Sequence, residues 1–302
     1  MGKNALIESA KAQDMETFRK LLKTEDINAY IAGYDTTREQ TAALLPYGVI
    51  VHSDARIKPL GVLVLENQKD EKYTPFIQEL LAQEKLDLDT PICKSDETMY
   101  PLRFMLAADT TKGFVNLKAL LKRQDWDVNR DLPDILRSAC SPLKAVAVME
   151  HPKADVNQKN TYLFWGRDCQ IFVGKAECPI WMAAGIETAL KLCECNAAEP
   201  DAASLKEANQ EGSIALKKFL DLSSKAPADG SLIGTRFGEG NSEGKAYFGF
   251  KHLLNAVVGS YAEKLGQKEI APDVCKYILS VHQSARKFGI MERAAHRGHE
   301  VG

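Results

Sequence analysis

The chain has 302 residues, room for one large or two ordinary domains, and its 45% hydrophobic and 26% charged side chains give a globular rather than a disordered balance. A net charge of -2 provides no global field to gather nucleic acid or an anionic membrane, and apolar runs such as Gly48-Val49-Ile50-Val51 fall far short of a membrane span. Seven cysteines, an odd count in a long chain, read as reduced thiols in a cytosol-like compartment. The opening Met1-Gly2-Lys3-Asn4-Ala5-Leu6 lacks the apolar core of a secretory signal and the Ser/Thr of a myristoylation signal, so neither is expected.

In chain order, Asn4-Ala5-Leu6 opens a helical stretch with small residues at Ser9-Ala10, and Phe18-Arg19-Lys20-Leu21-Leu22 closes a second one. Asp26-Ile27-Asn28-Ala29 follows. The same order then returns. Lys58-Pro59-Leu60 leads through Phe76-Ile77-Gln78-Glu79-Leu80-Leu81 to Leu86-Asp87-Leu88-Asp89. Tyr100-Pro101-Leu102 leads through Ala107-Ala108 and Leu117-Lys118-Ala119-Leu120-Leu121 to Trp126-Asp127-Val128-Asn129. A fourth copy of the phrase is Ala154-Asp155-Val156-Asn157. Proline suits the first helical turn because its missing N–H had no partner there, and Asp/Asn suit a tight loop. Helix pairs are therefore expected over residues 4–22, 59–82 and 101–122, with 26–30, 86–90 and 126–130 in loops.

The central aliphatic residues Ile27, Leu88, Val128 and Val156 are spaced by 61, 40 and 28 residues. One hidden unit in the long first gap, between Tyr30 and Pro59, brings the mean period to about 32 residues, a value typical of stacked helical repeats. In the order of its elements the chain resembles the ankyrin repeat, whose pattern is Thr-Pro-Leu-His-x-Ala-Ala, a Val-x-x-Leu-Leu helix and Gly-Ala-Asp-Val-Asn. The match is best in residues 100–130, good in 4–30, fair in 58–90 and partial in 132–159. Cys178-Pro179-Ile180-Trp181-Met182-Ala183-Ala184 looks like the start of a further unit. The Thr and His of the first helix and the Gly before Ala-Asp are absent, and unit lengths vary.

Beyond Asn196 the style changes. A charged, Ala-rich stretch carries one helix around residues 204–222, and a glycine-rich segment spans 231–244. Two amphipathic helices follow, one on Phe250, Leu253, Leu254, Val257, Val258, Tyr261 and Leu265, the other behind Pro272-Asp273.

Chemical motifs are weak. Gly238-Glu239-Gly240-Asn241-Ser242-Glu243-Gly244-Lys245 lacks the first glycine and the Ser/Thr of a phosphate loop. Cys169, Cys178, Cys193 and Cys195 lack zinc-knuckle spacing. Cys140 with His151, or Cys275 with His252 or His282, has no nucleophile motif around it. His296-Arg297-Gly298-His299 reads as a solvated tail. No catalytic residue, metal or cofactor is therefore assigned.

The expected fold is all-α, an ankyrin-like helical solenoid over residues 1–195 followed by a C-terminal helical domain or cap over 196–302. The resemblance implies a protein–protein interaction scaffold that works through its concave face or loop tips. Trp126 and Arg130, flanking the best loop, are the first partner-binding candidates, with Arg103, Tyr34 and Asp35 behind them. Trp126 could equally fill a gap between loops, and Trp165 and Trp181 read as core. Divergent repeats with an unrelated helical tail also resemble the ankyrin-repeat effectors of intracellular bacterial pathogens. That implies a protein partner and, if the chain is delivered, the host cytoplasm, while the charge, the short apolar runs and the thiols point to no nucleic acid, no membrane and a cytoplasmic location. The alternatives are an effector enzyme whose repeats select a target for the C-terminal region, and a regulatory protein that covers an enzyme's active site.

Overall fold

The computed structural model describes residues 4–34, 37, 40, 44, 55–94, 98–136 and 140–158, the backbone of 159–166 and 171–179, residues 180 and 181, and helical positions within 183–188 and 210–222. The chain divides into two compact units, Met1–Ala154 and Asp155–Gly302, a division that falls before the composition change at residue 196.

In the first unit the described residues are mostly helical. Helices α1 (Ala5–Lys11) and α2 (Met15–Thr24) form one hairpin, α3 (Pro59–Asn67) and α4 (Thr74–Leu81) a second, and α5 (Pro101–Ala108) and α6 (Val115–Leu121) a third. All three coincide with the expected helix pairs, and residues 26–30, 86–90 and 126–130 lie outside the helices. Local chemistry sets the boundaries. Asn4 accepts the Ile7 N–H at 3.2 Å and Asp14 accepts the Thr17 N–H at 2.9 Å, each satisfying a donor the first turn leaves open. Pro59 and Pro101 take the first position of α3 and α5. Between α5 and α6 the buried Asp109 accepts the Thr111 hydroxyl at 2.6 Å and the Leu117 N–H at 2.8 Å, so one carboxylate both makes the turn and starts the next helix.

First helices touch first helices, α1 with α3 and α3 with α5, and second helices touch second helices, α2 with α4 and α4 with α6. The interior between the rows is apolar: Leu6, Phe18, Leu22, Leu60, Leu80, Phe104 and, as expected, Leu102 and Leu120 are buried. Phe18 of α2 meets Phe76 of α4 edge-to-face at 5.1 Å between centroids. A fourth segment continues both rows. The short 3-10 helix Leu132–Leu136 touches α5, and α7 (Pro142–Met149) touches α6.

Two findings depart from expectation. The hidden unit between Tyr30 and Pro59 does not separate the first two hairpins, because α1 and α2 rest directly on α3 and α4, and Arg19 pairs with Glu79 at 2.9 Å. The 61-residue gap is therefore an insertion into one connection and not an extra layer. The second departure is β-structure, which makes the architecture mostly helical rather than all-α. Four two-residue strands, β1 (Ile31–Ala32), β2 (Arg56–Ile57), β3 (Cys93–Lys94) and β4 (Thr98–Met99), form an antiparallel sheet in the order β1-β2-β3-β4. Ile31 faces Ile57, Ile57 faces Cys93 and Cys93 faces Met99. Each strand leaves one hairpin or enters the next, so the sheet links successive connections. Gly61 lets α3 lie close to it, since a Cβ there would stand 2.7 Å from Cγ1 of Ile57.

The second unit, taken by itself, begins with the fourth phrase and continues into an antiparallel ribbon of β5 (Lys159–Gly166) and β6 (Ile171–Pro179). The register shifts between Phe164 and Trp165, where Phe164 faces Gly174 but Trp165 faces Phe172. Trp181 is buried after the ribbon, as expected. Helical positions at 210–222 fall within the helix read there, and Ala215, Phe219 and Leu222 are buried. The expected helices at 250–288, the glycine-rich loop and the histidine-bearing tail lie outside the described residues.

Candidate protein-interaction site

The recurring phrase has one geometry in all four copies. Its first Asp accepts, through Oδ1, the backbone N–H two residues on: Asp26 from Asn28 at 2.9 Å, Asp87 from Asp89 at 2.9 Å, Asp127 from Asn129 at 3.0 Å and Asp155 from Asn157 at 3.1 Å. A short carboxylate bonding its own backbone makes the turn without help from outside. The aliphatic residue at the centre is buried each time, as Ile27, Leu88, Val128 and Val156. The phrase is thus a self-bonded turn pinned to the core by one side chain.

The last phrase residue joins neighbouring copies in the first unit. Asn28 Oδ1 accepts the Asp87 N–H at 2.9 Å while its Nδ2 donates to the Lys85 carbonyl at 2.8 Å. Asp89 Oδ1 accepts the Asp127 N–H at 3.1 Å, and Asn129 Nδ2 donates to the Lys153 carbonyl at 2.9 Å. This ladder holds the three loops side by side. Arg123 reinforces it. Its Nη1 donates to the Leu81 and Gln83 carbonyls at 2.7 and 2.8 Å, covering the end of α4, and its Nε donates to Asp125 at 2.7 Å. That bond holds the Asp125 carboxyl below the usual aspartate range. Lys58, buried before α3, donates to the Asp87 carbonyl at 3.2 Å and to the Thr90 hydroxyl. Burial pulls the Lys58 ammonium down from its ordinary value, partly offset by Asp87.

At the tips the ladder leaves an open recess of about 400 Å³ lined by Asp89, Asp125, Trp126, Asp127, Asn129 and Lys153. Three carboxylates and one ammonium line it, with Asp125 paired to Arg123 and Asp89 3.8 Å from Arg130, and an edge of the Trp126 indole forms part of its wall. Such a lining can take a cationic group, with carboxylate oxygens to accept from it.

The expected anchors sit as follows. Trp126 lines the recess but is only 3% exposed, and its Nε1 donates to the Arg123 carbonyl at 3.0 Å. It does not project from the loop. Arg130 is half-buried, donates to the Asp89 carbonyl at 2.9 Å and lies 3.6 Å above the Tyr100 ring. Arg103 stands apart from the recess residues, with its Nε 4.0 Å from Asp134. Tyr34 is buried and donates to Glu66 at 2.8 Å; burial first, and then Glu66, raise its phenol above the ordinary value. Asp35 lies outside the described residues. The structure therefore gathers Trp126 with residues the sequence did not single out as anchors, Asp89, Asp125 and Lys153. Only their repeat positions carried a signal, since Asp89 ends one phrase and Lys153 precedes another.

The Cys140–His151 pair considered from sequence has no dyad geometry. His151 Nδ1 accepts the Lys153 N–H at 3.2 Å, which leaves the proton on Nε2, facing the Arg123 carbonyl at 2.9 Å. Cys140 directs its thiol to the Ser141 carbonyl at 3.4 Å. No group of three or more potential metal ligands occurs among the described residues. Comparison with protein-family models, curated proteins and solved structures returns no match.

Proposed function

We propose that the chain is a divergent ankyrin-like solenoid acting as a protein-interaction scaffold, and that the loop tips engage the partner through the carboxylate-lined recess. The observation that carries this reading is the ladder from Asn28 to Asp87 and from Asp89 to Asp127, which fixes the loops in register and so preorganises their outer side chains. Two rows of touching helices and a phrase repeated in sequence and geometry support the solenoid. The lining favours a partner segment rich in Arg or Lys. On this reading the chain works in a reducing cytoplasm, the host's if it is a delivered effector. No helix among the described residues is long and apolar enough to cross a membrane. The effector-enzyme alternative rests on residues 196–302, and nothing among the described positions there favours it.

The test is capture of partners from cell lysate by wild-type chain and by the double variant Asp89→Asn/Asp127→Asn. Both substitutions keep the accepting oxygen and remove the charge, and Asn already fills the equivalent of position 89 at Asn28 and Asn129. Normal melting with at least tenfold weaker capture, about 1.4 kcal/mol, is expected. Unchanged capture at normal melting removes the recess from the interface.

A further inference from the structure

Next to the recess, Arg130 is shared between two carboxylates of unequal burial. Its Nη1 stands 3.8 Å from Asp89 Oδ1, and its Nε stands 3.8 Å from Asp131 Oδ2. Asp89 is largely exposed, whereas Asp131 is 7% exposed. Among the described residues neither Arg130 Nε nor Asp131 Oδ2 has a hydrogen-bond partner. Both contacts are ion pairs that stop short of hydrogen bonds, so either can shorten through a small rotation of the guanidinium. Its other bonds go to the Asp89 and Leu88 carbonyls, and its plane covers Tyr100 at the start of α5. A small shift of Arg130 therefore changes how the second phrase is tied to the third.

We propose that Arg130 is handed between Asp131 and Asp89 by protonation of Asp131, a proton-operated latch between neighbouring loops. With Asp131 ionised, two carboxylates compete for one guanidinium. When Asp131 takes a proton from solvent, only Asp89 attracts it, and Arg130 settles on the outer carboxylate. Burial pushes the Asp131 carboxyl up to about 6, against Arg130, with Asp134 adding to the rise, Arg103 of α5 opposing it and Asp127 adding again. These groups face Asp131 from its own loop, from α5 and from the 3-10 helix, so the exchange falls in a mildly acidic window. Pairing Asp89 more closely also removes part of the recess's negative charge, a consequence that rests on the scaffold reading. The latch itself does not.

The experiment is an NMR titration of the full chain from about pH 4 to 8, following the Asp131 carboxyl carbon and the Arg130 Nε resonance. Asp131 should titrate near 6, and the Arg130 signal should move in the same step. In Asp131→Asn the Arg130 step should vanish. An Asp131 midpoint in the ordinary aspartate range overturns the proposal, as does an Arg130 resonance that stays flat while Asp131 titrates or still steps in Asp131→Asn. The wild-type titration decides the question even if the variant fails to fold. Because it involves no partner, it stands or falls separately from the capture experiment.

Discussion

Trp126 and His151 donate to the same acceptor, the Arg123 carbonyl, at 3.0 and 2.9 Å, with their ring centroids 5.8 Å apart. The carbonyl belongs to the residue whose guanidinium covers the end of α4. The three residues thus form one joint under the recess. Trp126→Ala should cost about 3–5 kcal/mol and lower the melting temperature, with partner capture lost only as far as folding is. If Trp126→Ala melts like wild type and loses its partner, the indole is an anchor after all.

Arg123→Ala should destabilise by roughly 2–3 kcal/mol, since the part-buried carbonyls of Leu81 and Gln83 at the α4 end lose a charged donor. Arg123→Lys should recover little, because one ammonium cannot reproduce the fork that serves Leu81, Gln83 and Asp125 at once. Denaturant midpoints of the two variants make the comparison, and full recovery by lysine would contradict it.

The ladder predicts a contrast between two changes. Asn28→Ala strips the Asp87 N–H and the Lys85 carbonyl of partners and should cost about 1–2 kcal/mol. Amide exchange should accelerate around residues 85–90 as well as around 26–30. Asp89→Asn keeps the oxygen that accepts from Asp127 and should leave exchange at Asp127 unchanged.

Gly61→Ala would force a methyl against Ile57 and Ile92, at 2.7 and 3.3 Å from the nearest carbons. Both neighbours are buried, so the expected cost is about 1–3 kcal/mol, despite alanine's better helix propensity. Equal or higher stability in thermal unfolding would show that Ile57 can move aside.

Asp131 makes a signed contribution to pH dependence. Its carboxyl is raised from 3.8 to about 6 in the folded chain, so between those values the folded state keeps a proton that the unfolded state has lost. Stability from this group therefore falls as pH rises through that window: the penalty is absent below it and fully present above. Asp131→Asn removes the penalty and should stabilise by roughly 1–3 kcal/mol at neutral pH, with the difference closing near pH 4. A variant less stable than wild type at neutral pH would mean that Arg130 and Arg103 outweigh the burial.

Much of the first unit was legible from sequence because its signals are local. Pro59 and Pro101 mark helix starts, the Leu-Leu pairs mark second helices, and the Asp of each phrase bonds its own turn. The sheet was not legible, because strands two residues long, such as Ile31–Ala32 and Cys93–Lys94, have no period to detect. The ribbon did leave a signal, Thr161, Tyr162, Phe164 and Trp165 before Gly166 and Ile171, Phe172 and Val173 after it, but these strand-forming residues fall between two repeat-like segments that dominate the pattern. Trp126 illustrates the limit at the site. Sequence places it beside a loop, and only the carbonyl of Arg123 decides that its ring turns inward.

Since neighbouring phrases recognise one another through a side-chain amide or carboxylate and a backbone N–H, alignment of the layers does not depend on counting residues between them. Chain separations of 61 and 40 residues, each holding one helix hairpin, bring Ile27 beside Leu88, and Leu88 beside Val128, by the same kind of bond. The added entropy of closing a longer connection grows only logarithmically. The link between β1 and β2 can therefore differ in length, with Tyr34, Gln40 and Leu44 keeping their buried places, while the layers on either side hold their registration.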